Sequence, residues 1–260
     1  MRLVIKRTVL LLFAAVVLLA AGSQVNIARE EPPPVELDHV FVFVEKGAPE
    51  AKLLKDWGLT VGDKPYRHVG AGTASIGVFF ENGYLELVWV EDVDELRAKE
   101  PEMVTRAGWK ETGASPFGIG LHHRAGSTAP IPFPVRNYSA EWMRPGTFIE
   151  VAEGVSVVEP AVFIVPDYMA VGPDEKQQEL LKKDPEFAKL FQHPVGVKSI
   201  TSATITVTPK TLGAAALNLT RGNVVRIQPG AAPLLELTFD GGSRGKSLDA
   251  RPTLPLFLRY

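Results

Sequence analysis

At 260 residues, with 45% hydrophobic and 22% charged side chains, the chain has a globular composition and enough length for a sizeable core. A formal net charge of −2 supplies no general basic footprint, which excludes broad nucleic-acid binding. It contains no cysteine, so disulfides, thiol nucleophiles and thiolate metal sites are excluded as well.

Arg2, Lys6 and Arg7 precede an apolar run from Val9 to Ala21, followed by Gly22 and Ser23. This is the order of a secretory signal, expected over residues 1–23. The apolar run is shorter than the roughly 20 residues a spanning helix needs. The expected location is therefore periplasmic or extracellular, with an uncleaved N-terminal membrane anchor as the alternative. Removal of the signal leaves 25 basic and 30 acidic side chains, a net charge of −5. Residues 24–36 include Arg29-Glu-Glu-Pro-Pro-Pro34 and read as a stiff, extended linker. The folded part is expected over 37–260.

Leu37–Val44 is rich in β-branched and aromatic residues and predicts a strand. Pro49–Trp57 sets Ala51, Leu53, Leu54 and Trp57 at helical spacing, with Gly58 as the stop. Strands follow over Lys64–His68, Thr73–Phe80 and Tyr84–Val90, and Glu81-Asn-Gly83 signals a hairpin between the last two. Together they form a βαβββ unit over 37–90. Glu91–Trp109 predicts two short helices broken at Pro101. A second region over 110–170 carries strands at Phe117–His123 and Ala161–Val165, with a Pro-rich loop at Ala129–Pro134. Asp174–Gln192 is helical and restarts at Pro185, and Ser199–Thr208 and Leu234–Phe239 are strand-like. The last two echo Leu37–Val44 and Tyr84–Trp89 in pattern, a shortened repeat over 199–240.

One residue breaks the pattern of Tyr84-Leu-Glu-Leu-Val-Trp-Val90: Glu86, an acid inside a strand that reads as buried. A lone buried charge costs on the order of several kcal/mol unless it is paired, neutralised or bound to a metal. His39 is its best partner, because alternation puts His39, Phe41 and Phe43 on one strand face and Tyr84, Glu86 and Val88 on one face of another. An imidazole with carboxylates is the ligand set of Zn, Mn, Fe or Ni. Without a metal, the two side chains would simply hydrogen-bond each other or the backbone.

At Leu37-Asp-His-Val40, Gly72–Leu87 and Pro116-Phe-Gly-Ile-Gly-Leu121 the chain resembles the glyoxalase-like branch of the vicinal-oxygen-chelate superfamily. The resemblance implies an α+β fold of βαβββ modules, whose mixed, curved sheets surround a cleft, with an irregular second half here. It also implies metal ligands on the first and last strands of each module, which in this chain are His39 and Glu86. In the second half the first-strand position falls on Phe117 or Ser202, neither a good ligand, while Glu236 matches Glu86. The candidate site is thus His39, Glu86 and Glu236 around a divalent metal, with Glu86 the catalytic candidate. The expected function is a lyase, isomerase or oxygenase acting on a small organic molecule. The alternatives are a non-catalytic small-molecule binder and a cell-envelope structural protein. Superfamily members often pair modules across a dimer, so a homodimer is compatible with this reading.

The other histidines read differently. His122 and His123 are adjacent in a strand, so at most one can face the cleft; His68 reads as a surface residue, and His193 as a donor to helix-end carbonyls. Asp240–Ser247 imitates a phosphate loop but lacks the first glycine and opens no helix, and Ser75 and Ser115 lack a nucleophile-elbow surround. Trp57, Tyr66, Tyr84, Trp89 and Trp142 could line a pocket, although aromatics of a domain this size are mostly core.

Overall fold

Alternation of side chains builds the central strands. In β1 (Val35–Phe43), Val40 and Val42 point into the main core while His39, Phe41 and Phe43 point to the opposite face. The computed structural model describes residues 32–172 and 175–260; the expected secretory signal and most of the linker lie outside them. The described chain continues with α1 (Ala51–Trp57), β2 (Tyr66–His68), β3 (Thr73–Phe80) and β4 (Gly83–Val90). Gly58 ends α1 in the left-handed conformation, φ 100°, that a side chain resists.

Three short helices follow: α2 (Val93–Lys99), α3 (Pro101–Ala107) and α4 (Trp109–Thr112). Asp92 caps α2 by accepting from the Asp94 and Glu95 amides, and Pro101 opens α3 as expected. Then come β5 (Phe117–His123), β6 (Val135–Tyr138), β7 (Ile149–Ala152) and β8 (Ala161–Ile164). The remaining elements are α5 (Glu175–Lys183), α6 (Pro185–Lys189), β9 (Ile200–Val207), α7 (Ala214–Arg221), β10 (Arg226–Pro229), β11 (Leu234–Phe239), β12 (Ser247–Asp249) and β13 (Leu256–Arg259).

The described strands form two sheets in an α+β architecture. The first, curled, has eight strands in the order β2-β3-β4-β1-β5-β8-β7-β6, and the second has five, β10-β9-β11-β13-β12. In the first sheet, β5-β8-β7-β6 mirrors β1-β4-β3-β2 about the antiparallel β1–β5 pair. Each half pairs its first and last strands in parallel, β1 with β4 and β5 with β8. The sequence echo over 199–240 is not this repeat. β9 and β11 pair antiparallel, and they belong to the second sheet. The repeat of the first module is β5–β8, a half in which a Pro-rich loop replaces the helix.

One face of the first sheet packs on the second sheet, α1 and α7 in a single apolar core that includes Leu54, Leu85, Leu219, Ile205 and Leu237. The ring of Phe80 in the first sheet packs, tilted, 4.6 Å from that of Phe239 in the second. The opposite face carries a smaller cluster of Phe41, Phe43 and Val88, against which Met103, Trp109 and Phe163 pack. The strand begins two residues before the expected Leu37, and Arg124 holds the preceding turn by donating to the carbonyls of Pro33 and Pro34.

Candidate functional site

The concave face of the first sheet encloses a cavity of about 1080 Å³. Its floor is β1 and β4, which carry His39, Phe41, Tyr84, Glu86 and Val88. Phe41 is the direct parallel partner of Glu86, so the two strands present aromatic and acidic groups side by side. β8 adds Ala161 and Phe163, and β2 adds Tyr66 and His68. On one side, Phe187 and Phe191 pack against Phe79 at ring distances of 5.8 and 5.6 Å.

Glu86 lies between two imidazoles. His39 Nε2 is 3.8 Å from one carboxyl oxygen and His68 Nε2 is 3.8 Å from the other. Both separations exceed hydrogen-bond reach. The other nitrogen of each ring is committed: His39 Nδ1 to Asp38 Oδ1 at 2.6 Å, and His68 Nδ1 to Thr73 Oγ1 at 2.8 Å. Both Nε2 atoms therefore face the acid. Tyr84 stacks on His39 at 4.3 Å and fixes the ring from the side.

A β-bulge makes the Asp38–His39 contact. The β1–β5 register jumps from Leu37↔Leu121 to His39↔Gly120, which leaves Asp38 as an extra residue. Neighbouring strand residues normally point to opposite faces; the bulge lets both bend to one side. Gly83, at φ 152°, accommodates it, since a Cβ there would overlap the Asp38 carbonyl. Asp38 is fully buried and accepts from the Val171 amide at 2.7 Å. Burial alone would raise its carboxyl pKa, but His122, His39 and the Val171 amide together hold it below the ordinary value.

The glycines of β5 explain why the second half lacks ligands. On the cleft face of β5, Gly120 is paired with His39 and Gly118 with Phe41. A Cβ at either glycine would overlap the ring of its partner. The β1 rings lie across β5 in the space where ligand side chains of a second module would stand. On β8 the cleft-facing residues are Ala161 and Phe163, also without donor atoms. Phe117, the expected counterpart of His39, points into the core instead.

Of the sequence candidates, the structure brings His39 and Glu86 together and leaves Glu236 elsewhere. Glu236 sits on β11 of the second sheet, opposite Thr204 and Phe257, and accepts from Arg259 at 3.1 Å. His68 is a correction in the other direction. It is half-buried in the cleft, because β2 pairs with β3 and turns its face toward Glu86. Burial holds its pKa below the ordinary value, partly offset by Glu86 and reinforced by His39. His193 does not serve helix carbonyls: its Nδ1 accepts from the Thr60 amide and its Nε2 donates to the Phe79 carbonyl. Of the five aromatics singled out, Tyr66, Tyr84 and Trp142 line the cleft, whereas Trp89 is core and Trp57 packs on Tyr260.

His122 and His123 face different partners, Glu36 with Asp38 and Glu150 respectively. The contact with Asp38 raises the His122 pKa above its ordinary 6.5, against the opposing pull of burial and with help from Glu36. A raised folded-state value means stabilisation that is complete below the unfolded value and is lost as pH rises through the folded one. Replacement His122→Asn is therefore expected to cost stability below about pH 6.5 and progressively less above it. Urea midpoints of both proteins across that range check this; a deficit independent of pH would contradict it.

The donor chemistry at Glu86 suits a divalent ion, with two imidazole nitrogens and a carboxyl group facing one another. The spacing does not close around one: the described residues include no group of three or more His, Cys, Asp or Glu side chains placed to hold a metal. No helix among the described residues is long and apolar enough to cross a membrane.

Two mirrored half-sheets around a side-chain-lined hollow define a protein of the vicinal-oxygen-chelate architecture. The chain belongs to the glyoxalase-like domain family, whose model matches residues 37–220. Among solved structures it is similar to a hypothetical protein from Staphylococcus aureus, with 13% identity, 86% of this chain and 98% of that chain covered, and a TM-score of 0.47. No curated protein matches the chain.

Proposed function

We propose that this protein takes a small, largely apolar organic molecule into the cleft and holds its polar end at Glu86. One observation carries the reading: an acid at the floor of a cavity of about 1080 Å³, flanked by two imidazoles, with aromatic and aliphatic side chains making up most of the remaining lining. This combination of an apolar container with a few converging polar groups is the usual form of a small-molecule site. As an enzyme, Glu86 would accept or return a proton beside a carbonyl, with His39 and His68 orienting it. The family-implied divalent cation would be held by His39, Glu86 and His68 only if those side chains drew closer together than they stand here, and it would then supply Lewis acidity. Export of the chain by its N-terminal segment belongs to the same proposal, supported by the charge and hydropathy pattern of residues 1–23.

Two measurements test it. N-phenyl-1-naphthylamine, a neutral fluorophore with one N–H, is expected to bind one per chain, and Glu86→Ala to weaken it about tenfold through loss of that hydrogen bond. Unchanged binding in Glu86→Ala would sink the reading. Elemental analysis of protein purified without chelator, repeated for His39→Ala and Glu86→Gln, tests the cation. Loss of metal in both variants supports it, and equal metal in all three proteins refutes it. A non-catalytic binder would retain the fluorophore after chelation, whereas a metal-dependent enzyme would lose turnover.

A further inference from the structure

Glu86 is 14% exposed on the cleft floor, and its carboxyl oxygens make no hydrogen bond among the described residues. The ion-pair neighbours it has there are the two imidazoles, each 3.8 Å away. No arginine lines the cleft; of its two lysines, Lys64 is exposed and Lys189 donates to Glu186 at 2.6 Å. The other lining acids are provided for. Glu100 takes Arg136, Asp184 caps α6 at the Phe187 amide, Glu186 holds Lys189, and Asp63 is open to water. An enclosed carboxylate without a counter-charge is costly, and this one faces a hollow in which a guest can bring the charge.

His39 sharpens the chemistry. Its Nδ1 donates to Asp38, which also accepts from the Val171 amide, so Nε2 of the neutral ring is a bare acceptor turned toward Glu86. A protonated Nε2 facing a carboxylate would close to about 2.7–2.9 Å; a gap of 3.8 Å is the spacing of two acceptors with nothing between them. Among the described residues no three such side chains stand close enough to hold a metal. An ammonium group needs longer contacts, about 2.8 Å against about 2.1 Å for a metal–ligand bond. Tyr84 and Phe163 flank His39, and Phe41 pairs with Glu86; aromatic rings of this kind attract ammonium groups.

Resting on the small-molecule reading, we propose that the ligands of this cleft are apolar molecules ending in a protonated primary amine. The ammonium group sits at the floor and shares its N–H donors between the Glu86 carboxyl and His39 Nε2. The apolar body fills the aromatic and aliphatic hollow above it.

A matched series tests this by calorimetry: 4-phenylbutylamine, 4-phenylbutan-1-ol and 4-phenylbutyrate, which share a body and differ in the charge of one end. The amine is expected to bind the wild-type protein at least about tenfold tighter than the alcohol, the effect of a charge-assisted hydrogen bond, with the carboxylate weakest. Glu86→Gln, which keeps the shape and removes the charge, is expected to bring the amine within about threefold of the alcohol. Glu186→Gln removes an acid already paired with Lys189 and is expected to leave the preference intact. Equal affinity for amine and alcohol, or an equal loss of preference in both variants, would overturn the amine assignment alone. Tightest binding of 4-phenylbutyrate would overturn it too, since a cation would then already stand at Glu86. If none of the three binds, the small-molecule reading falls with it.

Discussion

Gly120→Val is expected to evict the His39 ring and to cost the cleft most of its affinity, between about tenfold and a hundredfold, for the fluorophore and for any metal held there. A Cβ at Gly120 overlaps the imidazole, and the branched side chain adds two further methyl groups to the same space. His39 cannot retreat freely, since Asp38 holds its Nδ1 at 2.6 Å and Tyr84 stacks against it at 4.3 Å. Overpacking of this kind costs about 1–3 kcal/mol of stability, so a protein of ordinary stability should still fold. Titration with N-phenyl-1-naphthylamine, alongside a circular dichroism spectrum to confirm folding, checks the result. Wild-type affinity in a folded Gly120→Val protein would mean that His39 has no part in the site.

Arg106→Met is expected to cost about 4 kcal/mol, the largest stability loss of any single substitution considered. Arg106 is 2% exposed and donates to the carbonyls of Ser156, Val157 and Glu159, holding that loop to α3. Burial pulls its pKa down to about 10, which leaves it charged at neutral pH. Methionine fills much of the volume but leaves three carbonyls without their donor. Glu159 in turn accepts from the Gly213 amide at the start of α7, so loosening the loop also frees that helix. Urea unfolding measures the loss. Arg106→Lys, which keeps the charge but not the planar fork, should recover only part of it. A midpoint shift below about 1 kcal/mol for Arg106→Met would show that water satisfies those carbonyls.

The first module was legible because its signals are local. β3 and β5 have the bounds read from alternation, and α1, with Gly58 after it, follows from helical spacing and a glycine stop. Glu86 and His39 could be placed on one face by counting in twos. What failed was long-range pairing. The likeness of 199–240 to the first module is real as a hydrophobic pattern, but pattern does not determine which strand lies beside which, and Glu236 went to the wrong sheet with it.

Short elements with weak periodicity were missed, among them α7, β10, β12 and β13. His68 was misread because a three-residue strand carries almost no periodic signal, so nothing local told its face. Asp38 was invisible for another reason: alternation assigns it to the face opposite His39, and only the bulge reverses this. Arg106, in Val104-Thr-Arg-Ala107, looks like any solvent-exposed charge of a helix. Its burial depends on a loop fifty residues later.

The mirrored half-sheets keep a two-fold relation in their backbone while their chemistry is one-sided, with donors on β1, β2 and β4, bare glycine on the cleft face of β5 and hydrocarbon on β8. A guest with two identical ends would therefore find only one berth equipped to engage it. Such a compound would have to leave, tumble and re-enter before its second end met the same groups, so partial conversion products should accumulate early in any turnover of a symmetrical substrate.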